Sequence, residues 1–300
     1  MLNQRIRQQG GKRKLTQTLT LLLGNANLAG FVTGRIYQGP LKNACLPGLN
    51  CYSCPGALGA CPLGSLQNGL ADPLMLIPFY VLGFLVLLGG ILGRFVCGWL
   101  CPFGLIQEWL HRIPGRKWRP AHDQPMHKRL QVSKYVILAI FVVLLPFSGR
   151  LLSGYGSPAF CTYICPSGTL MAGIPLMLAN SDLRELASWL FGWKMLILVA
   201  VVVASVIISR PFCKYVCPLG AIYGFFNRIS LYRVTVNPIR CNHCGICTRR
   251  CPMSVPVPDD ANGPDCIRCG VCAAVCPQDA IQCGLASRKQ LDAAEEEPIG

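Results

Sequence analysis

The sequence predicts a mainly α-helical membrane protein. About four transmembrane helices alternate with re-entrant or short helices in an inverted or duplicated arrangement, and a small α+β domain closes the C-terminus. Three observations predict it. The chain of 300 residues is 52% hydrophobic and only 14% charged, with a mean hydropathy of +0.42. Its basic residues collect in alternate loops. Its nineteen cysteines fall into repeated motifs.

The apolar runs come first. Leu74 to Gly93 carries no charge in twenty residues. Tyr135 to Gly149 and Met195 to Ser209 are shorter, and their flanks extend each towards the ~17–25 residues that a bilayer crossing requires. Leu15 to Gly34 is uncharged as well, although Thr, Gln and Asn make it the most polar of the four. Buried helices of a soluble protein are the competing reading, and so weakly charged a chain argues against it. The first apolar stretch lacks a compact core followed by a small-residue cleavage site. The basic N-terminus, residues 1–14, is therefore expected to stay attached as a charged anchor on the cytoplasmic side.

Loop charge sets the orientation. Residues 1–14 hold five Lys/Arg and residues 111–134 hold seven, whereas residues 38–73 hold only Lys42 and residues 150–192 only Arg150 and Arg184. Both termini are thereby placed in the cytoplasm of a bacterial cell, with a multi-pass inner-membrane domain over residues 15–232. A net charge of +15 follows from this bias and from the anionic inner leaflet. Nucleic acid is excluded as a partner, because the basic residues follow topology and are not interleaved with aromatics on one face.

The cysteines carry the chemistry. CNHCGICTRRCP and CIRCGVCAAVCP are two C-x2-C-x2-C-x3-C-P runs within residues 233–283. Three thiolates of such a run face one cluster while the fourth reaches the other. Cys241, Cys244, Cys247 and Cys276 are expected to hold one [4Fe–4S] cluster, and Cys266, Cys269, Cys272 and Cys251 the second. Structural zinc would show pair-plus-pair spacing. The region resembles a bacterial two-cluster ferredoxin, and residues 284–300 are left as a tail.

A second motif repeats through the membrane part. Cys97/Cys101, Cys161/Cys165 and Cys213/Cys217 are each C-x3-C-P-x-G, and Cys61 opens a fourth C-P-x-G. Proline suits the first helical position, and the thiolate before it sits at a helix N-terminus, where negative charge is favoured. Topology sorts the copies. Cys97, Cys101, Cys213 and Cys217 fall at the inner face and are expected to share one cluster. Cys54, Cys61, Cys161 and Cys165 fall at the outer face and are expected to share another. Spacing leaves open whether Cys51 or Cys45 substitutes for Cys54. Disulfides are the ordinary fate of exported cysteines, so for Cys45 and Cys51 that outcome also stays open. Cys283 has no partner at ligand spacing.

These motifs resemble the NapH-type membrane iron–sulfur proteins and the membrane portion of NosR. The likeness runs from about residue 74 onward and rests on Cys97, Cys101, Cys213, Cys217 and the eight ferredoxin cysteines. It implies a membrane-bound electron carrier, and for the NapH type a quinol dehydrogenase component. The outer motifs depart from the simple NapH pattern. No membrane histidine pair for haem is present, since His111, His122 and His127 lie in the basic loop, and His243 lies between ferredoxin ligands.

The expected function is electron transfer between a cytoplasmic ferredoxin domain and membrane or extracytoplasmic acceptors, through four [4Fe–4S] clusters. Redox proteins on one or both sides, the bilayer, and a membrane complex or homodimer are the expected partners. One alternative is a NapH-like quinol dehydrogenase with quinone near the inner cluster, and another is a redox-sensing or cofactor-maturation membrane protein. The ~30 Å hydrocarbon core is too thick for one tunnelling step. Re-entrant helices that sink both clusters inward would resolve this, because irregular backbone is tolerated there when buried in protein.

Overall fold

A computed structural model describes residues 2–72, 78–185 and 189–285. Among these, two helices are long and apolar enough to cross a membrane: Pro125–Ser153, of 29 residues, and Trp189–Ile207, of 19. Only 11% of the most apolar window of each is buried, so neither is the core helix of a globular protein. Pro146 and Pro175 each remove a backbone donor. In both cases the chain widens into a π-turn just before the proline, at Leu138–Leu144 and Thr169–Gly173.

The other two expected spans take different forms. Leu15 to Gly34 is not one helix. The helix begins at Leu2 and ends at Gly24, and a separate short helix covers Ala29–Thr33. Its basic half docks onto the rest of the protein: Arg13 pairs with Glu108, Arg5 with Asp279, and Gln17 donates to the Cys101 carbonyl. Helix Phe79–Leu92 has 14 residues, and residues 74–77 of the expected span lie outside the described residues. The acidic end of the tail, residues 291–300, lies outside them too.

Four short helices start in the same way: Pro62–Ala71, Pro102–Leu110, Pro166–Gly168 and Pro218–Phe226. Each has proline at its first position and a cysteine in extended backbone just before it. They converge on one continuous core that includes Cys61, Cys97, Cys101, Cys165 and Cys217 and runs on to Met253, Ile267 and Cys269.

The C-terminal region is a small α+β unit. Strand Tyr232–Val236 pairs antiparallel with Ile281–Leu285, from Tyr232 opposite Leu285 to Val236 opposite Ile281. Helices Ile246–Arg250 and Val271–Val275 pack against this strand pair. The unit is internally duplicated, and its backbone shows it. His243 and Arg268, Gly245 and Gly270, and Ser254 and Asp279 are matched pairs, and all six have positive φ. Gly245 and Gly270 follow the second cysteine of each run, where the left-handed turn swings the third cysteine towards the same centre.

Candidate metal centres

The C-x3-C-P spacing builds one local structure three times. A single helical turn carries the first cysteine of each pair, at Phe95–Trp99, Ala159–Tyr163 and Pro211–Tyr215. The second cysteine then donates its N–H five residues back, from Cys101 to Val96 (3.1 Å), Cys165 to Phe160 (2.9 Å) and Cys217 to Phe212 (2.9 Å). Both sulfurs of a pair are thereby held on one side of the turn. The motif glycine donates its N–H to the cysteine sulfur in two copies, from Gly168 to Cys165 and from Gly220 to Cys217, both at 3.4 Å.

Two such turns face each other beside the C-terminal domain. Cys97, Cys101, Cys213 and Cys217 line one enclosed cavity of about 330 Å³, which we term the proximal cage. An approximate two-fold relates its halves, and two arginines in fully buried positions mark the symmetry. Arg94 donates to the Cys213 carbonyl (3.0 Å), and Arg210 donates to the Cys97 carbonyl (2.6 Å). Each lies over the glycine of the opposite C-P-x-G. A Cβ at Gly220 would fall 2.9 Å from Arg94, and one at Gly104 would fall 3.1 Å from Arg210. Arg94 shares Asp265 with Lys134, and Arg210 shares Glu108 with Arg13. Four cations against two carboxylates leave this shell net positive.

The C-terminal domain is fastened to the same cage. Arg94 donates to the Pro264 carbonyl (2.8 Å), Trp99 to the Arg268 carbonyl (3.1 Å) and Asn227 to the Cys266 carbonyl (2.7 Å). Gly98, inside the Cys97–Cys101 turn, packs so closely on the Ile267 carbonyl that any side chain there would collide with it. Burial would hold the Asp265 carboxyl up, but Arg94 and Lys134 bring it below its usual range.

The distal cage is larger and looser. Cys51, Cys61, Cys161 and Cys165 line a cavity of about 1350 Å³ that extends past Leu176, Met177 and Phe191. Cys54, also expected in this set, is not brought to this lining. It is buried and lies beside Lys42 instead. The reason is the loop of residues 52–60, which replaces the three-residue turn of the other copies. It bonds Cys54 N–H back to the Cys51 carbonyl (3.1 Å) and carries Cys54 away. Cys45 is pinned by a parallel bridge to Ala60 and lines neither cavity. No disulfide joins any of the nineteen cysteines. Among the described residues Lys194 is the one charged residue on the distal lining, and it donates to the Cys161 carbonyl (3.2 Å).

The two cages lie back to back. Leu49 lines both cavities and so forms part of the wall between them. Tyr223, fully buried, donates its hydroxyl to the Pro47 carbonyl (3.2 Å) in the same partition.

In the C-terminal domain, Cys241, Cys244, Cys247 and Cys276 line a cavity of about 370 Å³. Cys251, Cys266, Cys269 and Cys272 form a second neighbourhood of mutually interacting thiols. Burial pushes the Cys251 thiol up to about 12, so it is neutral at pH 7 until a metal displaces its proton. Cys283 sits on strand Ile281–Leu285 opposite Val234, outside both sets.

The donor chemistry fits iron–sulfur clusters. All-thiol sets of four are what [4Fe–4S] centres require. Among the described residues no three His, Cys, Asp or Glu side chains converge tightly enough to hold a single ion. Of the basic-loop histidines, His127 bonds the Tyr215 hydroxyl and His111 the Ser205 carbonyl. Arg94 and Arg210 are the residues that reading by spacing alone passed over, while Cys51 was left open as a substitute for Cys54. R-x-x-C-x3-C-P-x-G, present at both proximal turns, was the available signal for the arginines.

Comparison with known proteins agrees with this geometry. A 4Fe-4S binding domain family matches residues 72–120, 132–177 and 186–235, one C-x3-C-P turn in each, and a second 4Fe-4S binding domain family matches residues 265–282. An uncharacterized protein of Methanocaldococcus jannaschii is 30% identical over 61% of this chain and 61% of its own length. The regulatory protein NosR of Stutzerimonas stutzeri is 29% identical over 63% of this chain but only 24% of NosR. The putative electron transport protein YccM of Escherichia coli is 27% identical over 62% of this chain and 47% of its own. This chain thus spans less than two thirds of the length of these relatives. No solved structure matches it. With the three turns, the paired ferredoxin runs and these relatives in agreement, the chain belongs to the NosR/NapH-type family of 4Fe-4S ferredoxin proteins.

Proposed function

We propose that the protein is a membrane-bound electron conduit with four [4Fe–4S] centres. Cys241, Cys244, Cys247 and Cys276 hold the first, and Cys251, Cys266, Cys269 and Cys272 the second. Cys97, Cys101, Cys213 and Cys217 hold the proximal centre, and Cys51, Cys61, Cys161 and Cys165 the distal one. Each cluster, when bound, supplies a one-electron redox site. The observation that carries the reading is the stacking of the cages. Ile267 of the second ferredoxin set abuts Gly98 of the proximal turn, and Leu49 walls the proximal cage from the distal one.

The same stacking supports re-entrance. Cages back to back shorten the gap that the ~30 Å hydrocarbon core would otherwise impose. The exposed apolar faces of Pro125–Ser153 and Trp189–Ile207 support a bilayer setting. The N-terminal helix docks on the ferredoxin domain through Arg5 and Asp279, which supports one cytoplasmic side for both. Redox partners then meet the ferredoxin domain on that side and the distal cage on the other.

Iron counting on anaerobically purified protein tests the reading. About sixteen irons, four cubanes' worth, is the expected result. Twelve irons with oxidised outer cysteines would defeat it. A quinol dehydrogenase component is the second reading. The distal cavity favours it, because apolar residues such as Leu176, Met177 and Phe191 extend it well beyond the space the four thiols enclose. On this reading a quinone would bind beside the distal cage and not, as the sequence suggested, near the inner cluster, and a quinone analogue that perturbs only the distal signal would support it.

A further inference from the structure

Two glutamines occupy the same place in the two cages. Gln67 lies six residues after Cys61, and Gln107 six residues after Cys101, so both belong to C-P-x-G-x-x-Q. Both are fully buried, at 0% and 1% exposure. Each reaches across the pseudo-two-fold to the opposite half of its cage. Gln67 accepts from the Phe160 N–H (2.9 Å) and donates to the Cys161 sulfur (3.3 Å). Gln107 accepts from the Phe212 N–H (3.2 Å) and donates to the Cys213 sulfur (3.2 Å). The remaining amide hydrogen goes one turn back in each case, to Leu63 and to Phe103, both at 3.3 Å.

This arrangement fixes which end of each amide faces the thiol. A backbone N–H can only donate, so Oε1 must face the phenylalanine and Nε2 must face the sulfur. Every hydrogen-bonding group of the side chain is then used. The counterparts in the second half, Met171 after Cys165 and Tyr223 after Cys217, offer no such amide. One glutamine per cage therefore serves the leading cysteine of the second-half turn.

We propose that Gln67 and Gln107 are paired positioning residues that each donate one N–H to a cluster-bearing sulfur, Cys161 in the distal cage and Cys213 in the proximal cage, and so raise the reduction potential of that centre alone. The proposal rests on the reading that both cages hold clusters. A donor aimed at a thiolate stabilises the more negative, reduced state, and hydrogen bonds to sulfur are among the levers that set cluster potentials. The side chain also ties the leading cysteine's turn to the opposite helix, so one residue both places and tunes the ligand.

The test is an EPR-monitored redox titration of the full-length protein with dithionite, on wild type, Gln67→Met and Gln107→Met. Methionine keeps the length and removes the donor. We expect Gln67→Met to disfavour reduction of the distal centre by about tenfold, a shift of about 59 mV to lower potential for a one-electron couple, with the proximal centre unmoved. Gln107→Met should do the converse. Wild-type protein carrying glutamine side-chain 15N supplies a measurement that needs no variant: a weak 15N coupling should appear at both reduced centres. Unmoved potentials, shifts in both centres at once, or no 15N coupling at intact centres would overturn the proposal. A wild type without a distal or proximal centre would instead overturn the cluster reading beneath it.

Discussion

The proximal and distal cages use the same cysteine turns, yet their surroundings are opposites. The proximal cage encloses about 330 Å³ and the distal cavity about 1350 Å³. Buried Arg94 and Arg210 cross over the first, each held by a carboxylate, whereas among the described residues Lys194 is the only charge lining the second. The three-residue turn appears on both halves of the proximal cage but on only one half of the distal cage. The difference teaches that the C-P-x-G turn specifies where thiols point, while the shell around them specifies charge and access. A sealed, cation-rich shell suits a fixed relay beside the ferredoxin domain, and an open apolar one suits exchange with something from outside.

The sharpest way to break this comparison is at the irregular half of the distal cage. Cys51→Ser should abolish the distal EPR signal, and Cys54→Ser should leave it intact. The reverse outcome would return Cys54 to the ligand set. Next in size is the proximal shell. Arg210→Leu removes the guanidinium bonds to Glu108 and to the Cys97 carbonyl while Arg13 still pairs with Glu108, and hydrogen bonds to charged groups are worth about 1.5–3 kcal/mol each. Denaturant unfolding should show that loss, and an unchanged midpoint would mean that the shell is not holding the cage closed.

A smaller effect is expected at the docking face. Gly98→Ala drives a methyl into the Ile267 carbonyl, an overpacking cost of about 1–3 kcal/mol. Protease protection of the C-terminal domain should fall, because Gly98 is where that domain sits on the cage. The equivalent residue of the distal turn, Thr162, lines open cavity, so Thr162→Val should leave protection unchanged. The smallest effect belongs to Lys194→Met, which removes one hydrogen bond to the Cys161 carbonyl and should cost about 1 kcal/mol. A loss as large as that of Arg210→Leu would show that the distal shell depends on charge after all.

Much of this molecule was legible as sequence because its information is local. The ferredoxin runs specify ligand sets by spacing alone, and the twin positive-φ positions at Gly245 and Gly270 sit where the motif puts glycine. C-x3-C-P-x-G likewise encodes a turn whose hydrogen bonds all lie within a few residues, from Cys101 to Val96 and from Gly220 to the Cys217 sulfur. Proline after cysteine sets a helix start regardless of the rest of the chain.

What only the tertiary structure decided is non-local. Spacing could not choose Cys51 over Cys54, because the loop of residues 52–60 folds on itself before it meets the 161–165 turn. Hydropathy could not show that the uncharged stretch from Leu15 continues a basic helix docked on Glu108 and Asp279, since a window average sees composition and not partners. The exchange of Arg94 and Arg210 across the pseudo-two-fold, and of Gln67 and Gln107 towards Cys161 and Cys213, joins residues about a hundred positions apart. Such contacts exist only once the two halves pack, because each buried polar group then needs a partner that its own half does not supply.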